Sequence, residues 1–174
     1  MAITIFYSWQ SDRQNSTNRT FIEDALKKAI KEVSTDIEVL KAERDGPLEL
    51  DKDTQGVPGT PPITDVIFEK ISGATVFVPD LTLVGKTENG RLIPNPNVLI
   101  EYGWALCALG HSRMVPIMNT AFGEATAANL PFNMRHLRNP ITYELPGNAP
   151  QGEKTRVKAE LVKELVEAIS CDFF

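Results

Sequence analysis

The chain has 174 residues, 42% of them hydrophobic, which suits a single globular domain spanning residues 1–174, with a core large enough to need neither metals nor disulfides. A formal net charge of −5 without a long Lys/Arg cluster argues against a general phosphate-backbone binder, so nucleic acid is not an expected partner. Two cysteines, Cys107 and Cys171, and two histidines, His111 and His136, stand at no metal-ligand spacing, so neither a disulfide framework nor a metal site is expected.

Residues 3–8 form a short apolar, β-branched run that reads as a first strand. The amino terminus has no basic region leading into a long apolar stretch, and nowhere do about 18 apolar residues run together, so a cytoplasmic protein without a membrane span is expected. Polar residues 10–18 lead into a helix whose apolar face is Phe21, Ile22, Ala25, Leu26, Ala29, Ile30 and Val33. Residues 37–42 read as a second strand, the Gly/Pro/Asp-rich stretch 43–60 as a long loop and 63–71 as a helix. A third strand at 74–79 precedes a second long loop over 80–95. Asn95 can cap the next helix and Pro96 suits its first position; Gly110 suits its end. Residues 113–118 and 140–144 make a fourth and a fifth strand around an irregular stretch. The closing helix, 155–169, is amphipathic on Val157, Leu161, Val162, Leu165 and Ile169.

Strands alternating with helices imply a parallel sheet with right-handed crossovers and helices on both faces. The expected fold is α/β and flavodoxin-like, with five strands in the order 2-1-3-4-5. Ligands of such sheets bind beyond the carboxyl ends of the strands where the order reverses, here between strands one and three. Ser8, Trp9, Asp80 and Glu101 should then meet in one crevice. Glu101 is the informative member, a lone carboxylate in the second turn of an otherwise uncharged helix.

Several common α/β chemistries lack their motifs. Gly85-Lys86-Thr87 resembles the end of a phosphate loop, but Asp80 occupies the position of the required first glycine and Glu88-Asn89-Gly90 continues a loop. No Gly-x-Gly-x-x-Gly or Gly-x-Ser-x-Gly occurs, and Phe6-Tyr7-Ser8-Trp9 lacks the acidic cluster of a phospho-receiver. Trp9 either stacks on a planar ring or covers the sheet edge. Arg44, Asp45, Asp51 and Asp53 either meet phosphate and ribose hydroxyls or are solvated. Arg135 and Arg138 suit a clamp on their own loop.

Six segments in order resemble bacterial TIR-like (Toll/interleukin-1 receptor homology) domains of the NAD-consuming antiphage-defence type. They are Phe6-Tyr7-Ser8-Trp9-Gln10-Ser11-Asp12; Asn18-Arg19-x-Phe21-Ile22; Asp51-x-Asp53-Thr54-x-Gly56-x-Pro58-Gly59-x-Pro61-x-Ile63; Val76-Phe77-Val78-Pro79-Asp80; Asn95-Pro96-Asn97-Val98-x-x-Glu101-x-Gly103; and Leu130-Pro131-Phe132-Asn133. The resemblance implies a TIR fold and an NAD+ glycohydrolase releasing nicotinamide and linear or cyclic ADP-ribose, as an effector or signal generator. It implies NAD as substrate rather than cofactor, self-association through TIR surfaces, and a sensor protein or domain as partner. It assigns catalysis to Glu101. The candidate substrate-binding residues are Ser8, Trp9, Asp12, Arg44, Asp45, Asp80, Asn97 and Trp104. Trp9 departs from the small residue or histidine that many TIR domains carry there. A non-catalytic TIR interaction module and a nucleoside 2-deoxyribosyltransferase-like enzyme, with Glu101 as nucleophile, are the neighbouring alternatives.

Overall fold

The computed structural model describes residues 3–40, 47–54, 56, 62–137 and 139–171, with the side chains of 36–40 and 171 excepted; Arg44, Asp45 and Arg138 lie outside the described residues. Strand β1 (Ile3–Ser8) is central in a parallel sheet ordered β2-β1-β3, with β2 at Leu48–Asp51 and β3 at Val76–Pro79. Ile3 pairs with Leu48 on one side and Ser8 with Pro79 on the other. Alternation along the strands divides the core. Ile5, Tyr7, Val76 and Val78 face one hydrophobic cluster, while Phe6 and Phe77 face the other and stack at 6.1 Å.

Helices α1 (Arg19–Leu40) and α4 (Gln151–Cys171) cover the first face, and α2 (Ile63–Gly73) and α3 (Pro96–Leu109) the second. The fold class is thus the expected one, α/β with a parallel sheet between helices, but three details differ. First, residues 37–40 of the expected second strand are helical, because no glycine or proline interrupts residues 19–40 and α1 runs on to Leu40; residues 41–42 lie outside the described residues. The strand that pairs with β1 is instead Leu48–Asp51, inside the stretch read as loop. Second, the region 80–95 contains an antiparallel hairpin, β4 (Leu83–Lys86) with β5 (Leu92–Pro94). Gly85 and Lys86 therefore lie in a strand, and a Cβ on Gly85 would come within 3.2 Å of Ile93, so this is no phosphate loop.

Third, the five strands do not form one ladder. β6 (Ile117–Asn119) and β7 (Ile141–Tyr143) make a separate parallel pair, linked to β3 among the described residues only through the isolated bridges Phe77–Met114 and Asp80–Ile117. Pro79 accounts for the break. The Asp80 N–H donates to Ser8 and the Leu81 N–H to Ile117, so position 79 should donate toward β6, and Pro79 has no N–H. Pro116 faces the other way, its carbonyl accepting from the Ile141 N–H of β7. Arg113, expected to begin the fourth strand, instead ends a short 3-10 turn (His111–Arg113) after Gly110, whose φ of 78° closes α3, and the strand starts only at Ile117. Among the described residues no helix is long and apolar enough to cross a membrane.

Candidate active site

β1 ends at Ser8, beside β3, so the point where strand order reverses lies between Ser8 and Pro79. α3 begins above the same edge. Asn95 caps it with its side-chain oxygen accepting from the backbone N–H groups of Asn97 (2.8 Å) and Val98 (3.2 Å), and Pro96 takes the first position. Val98, Tyr102 and Ala105 bury one face of the helix. Glu101 then projects from its second turn toward β1.

The two elements meet in a hydrogen bond. Ser8 Oγ donates to Glu101 Oε2 at 2.5 Å. Ser8 is buried, whereas Glu101 is half-buried at the wall of a cleft of about 230 Å³. Phe6, Tyr7, Trp9, Gln10 and Ser11 from the end of β1, Asp53, Ile67, Asn95 and Asn97 complete the lining. Burial pushes the Glu101 carboxyl above its ordinary value, and the Ser8 hydrogen bond opposes that rise.

Of the expected site residues, the fold brings Ser8, Trp9, Asn97 and Glu101 to this cleft. Trp9 is half-buried with the Arg19 guanidinium 3.4 Å from its ring centroid, so the indole is held by a cation while contributing to the cleft wall. Asp12 is exposed and does not line the cleft. Its carboxylate accepts from Asn95 Nδ2 at 2.6 Å and joins the first loop to the start of α3. Asp80 and Trp104 do not line the cleft. Asp80 is fully buried and accepts from Gln10 Nε2 (3.1 Å), Asn18 Nδ2 (3.3 Å) and the Thr82 N–H (3.0 Å). Burial raises its pKa while these bonds hold the charge, so Asp80 organises the loop after β1. Trp104 instead stacks on Phe68 of α2 at 4.5 Å and donates to Phe68 O and Ser72 Oγ. Arg44 and Asp45 lie outside the described residues. Arg135 Nε donates to Leu130 O, a clamp on its own loop as expected.

Gln10, Ser11, Ile67 and Asn95 are lining residues that sequence reasoning did not select. Gln10 and Ser11 directly follow the strand end that selected Ser8 and Trp9, and Asn95 is the cap of the helix that selected Glu101, so both signals were present. Ile67 gives no such sign. Gln10 also fixes the loop, its Oε1 accepting from the Asp12 and Arg13 N–H groups at 2.7 and 2.9 Å. Arg13 donates twice to Leu83 O, tying the same loop to the hairpin. Ser8 and Trp9 are thereby carried on a braced segment.

No family model matches the chain, and no curated protein matches it. Among solved structures it is similar to the flavodoxin-like domain of a Synechococcus sp. protein, with 11% identity, TM-score 0.46, and 97% of this chain and 98% of that one covered. It is also similar to rubredoxin oxygen:oxidoreductase from Desulfovibrio gigas, with 11% identity, TM-score 0.45, and 98% of this chain but 36% of that one covered.

Proposed function

We propose that this chain is a TIR-like NAD+ glycohydrolase that cleaves the nicotinamide–ribose bond, with Glu101 as the catalytic carboxylate. The observation that carries it is the Ser8–Glu101 pair at the switch point between β1 and β3, opening on a cleft that also contains an indole. The bond to be broken joins ribose C1′ to a cationic pyridinium, whose nitrogen departs with the electron pair as neutral nicotinamide. No general acid is needed. Water adds to C1′ and gives up a proton, and intramolecular attack by the adenine ring in place of water would give the cyclic product. What needs stabilising is positive charge on the ribose, and one ionised carboxylate beside the sugar supplies that without the paired carboxylates of ordinary glycosidases.

The Ser8 hydrogen bond supports this role because it favours the ionised form that burial disfavours. In this reading Trp9 stacks on the pyridinium and Asn97 and Asp53 bind sugar hydroxyls, which their position in the cleft lining supports. The cleft is small beside typical ligand pockets of about 300–1,000 Å³, so it suits the nicotinamide riboside end, with the adenylate half reaching outside. NAD is consumed as substrate. An antiphage-defence role, self-association and a sensor partner rest on the resemblance.

The test is incubation of concentrated protein with NAD while nicotinamide release is followed, with Glu101→Gln as control. The variant should lose at least about two orders of magnitude, roughly 3 kcal/mol of transition-state stabilisation. Equal turnover by the variant would remove Glu101 from the mechanism, and a glycosyl adduct trapped on Glu101 would favour the transferase chemistry instead.

A further inference from the structure

A second cavity, of about 350 Å³, lies between the first turns of α1 and α4 and shares no lining residue with the Glu101 cleft. Thr20, Asp24 and Lys28 recur every four residues along α1, facing Gln151, Lys154, Thr155 and Lys158 of α4; Ser16 and Phe21 complete the wall. The whole chain carries more acidic than basic side chains, 23 against 18, yet here three lysines meet one aspartate. Lys158 is committed, with Nζ 3.0 Å from Asp24 Oδ2 and 5.1 Å from the centre of the buried Phe21 ring. Lys28 and Lys154 form no ion pair among the described residues.

We propose that this cavity binds the phosphate or diphosphate group of a small phosphorylated molecule. Two ammonium groups without a carboxylate face a concave site, and the N–H groups that open α4 add a positive end to it. The hydroxyls differ in what they offer. Thr20 Oγ1 already donates to Asn15 O and Thr155 Oγ1 to Gln151 O, so Ser16 is the hydroxyl free to donate to a ligand oxygen. Lysine without arginine in the lining suits a compact anion met by point charges rather than a planar carboxylate gripped by a fork. The concave volume suits a small ligand better than a polymer backbone. Asp24 restrains the site by neutralising the third ammonium.

Calorimetric titration with inorganic pyrophosphate tests this, with inorganic phosphate as a weaker ligand and NMR amide shifts to locate the site. Shifts are expected at Ser16, Thr20, Gln151 and Thr155 and not at Ser8 or Asn97. The double variant Lys28→Gln/Lys154→Gln should bind about tenfold more weakly. Asp24→Asn should bind several-fold more tightly, because it removes the one carboxylate and releases Lys158. Glu101→Gln should bind as the parent does, which separates this site from the proposed glycohydrolase. Absence of pyrophosphate binding, shifts confined to the Glu101 cleft, or an affinity unchanged in the double lysine variant and in Asp24→Asn would overturn the proposal.

Discussion

Replacing Ser8 by alanine tests the link between the sheet edge and the Glu101 carboxylate. Ser8 Oγ is 2.5 Å from Glu101 Oε2, and among the described residues no other side-chain partner of that carboxylate opposes the effect of burial. A hydrogen bond to an ionised acceptor contributes about 1.5–3 kcal/mol, and a half-buried acceptor belongs at the lower end because solvent replaces part of the loss. Since about 1.4 kcal/mol is a factor of ten, Ser8→Ala should weaken the Glu101 acid about tenfold and move its titration to higher pH. Ser8→Thr, which keeps the hydroxyl, should move it much less. The measurement is a carbon-13 NMR titration of the glutamate carboxyl signals, with Glu101 assigned by its absence in Glu101→Gln. If the proposed chemistry operates, the acid limb of nicotinamide release moves upward in parallel. A Glu101 titration that stays in place or moves to lower pH in Ser8→Ala would refute the assignment of this bond as the anion's support.

Asn119→Ala should be among the most damaging substitutions. The fully buried amide donates to Leu145 O (2.9 Å) and accepts from the N–H groups of Leu145 (3.0 Å) and Ala121 (3.2 Å), so truncation strands three backbone groups. At about 1–3 kcal/mol each, a loss of at least about 3 kcal/mol should appear as a lower urea midpoint with an unchanged slope. Trp104→Ala removes a ring stack outside the cleft and should cost about 1 kcal/mol of stability while leaving the KM for NAD unaltered. Trp9→Ala should instead raise that KM, by up to about tenfold for a lost base-like stack. Glu101→Gln should be more stable than the parent at neutral pH. The native pKa of Glu101 is raised, so its ionisation opposes folding: the benefit of the protonated form is complete below the unfolded-state pKa and is lost as pH rises through the native one. The difference in melting temperature should therefore grow as pH rises from the ordinary glutamate range through the native pKa and then level off, and a difference that is constant or shrinks across that window would contradict it.

The legible parts of this fold are those in which one strong local signal decides the element. The alternation of Ile5 and Tyr7 against Phe6 marks β1, and the Asn95-Pro96 cap marks α3 within a residue. β2 escaped because Leu48-Glu49-Leu50-Asp51 is short and half acidic, as suits a strand paired on one side only. The tail of α1 escaped in the opposite direction. Its β-branched residues Ile37 and Val39 favour a strand locally, but the helix continues through them without a breaker.

The same contrast separates the site residues. Ser8 and Glu101 were found together because chain topology alone takes the end of β1 and the start of the helix that follows β3 to the same crevice, whatever the side chains do in detail. Asp80 and Trp104 satisfy that topological condition equally well, yet neither reaches the cleft. Trp104, three residues beyond Glu101, is only about 60° away around α3 but about 4.5 Å further along it, where its ring meets Phe68 of α2 rather than the end of β1. Asp80 is turned inward by four uncharged partners, Gln10, Asn18, Thr82 and the strand backbone, whose separation along the chain leaves no period to read. Its burial still serves the cleft, because Gln10, which donates to Asp80, also caps the turn that follows Trp9. A substitution that loosens Asp80 should thus be felt at Trp9 and Ser8 first, through the loop they share rather than through contact with a ligand.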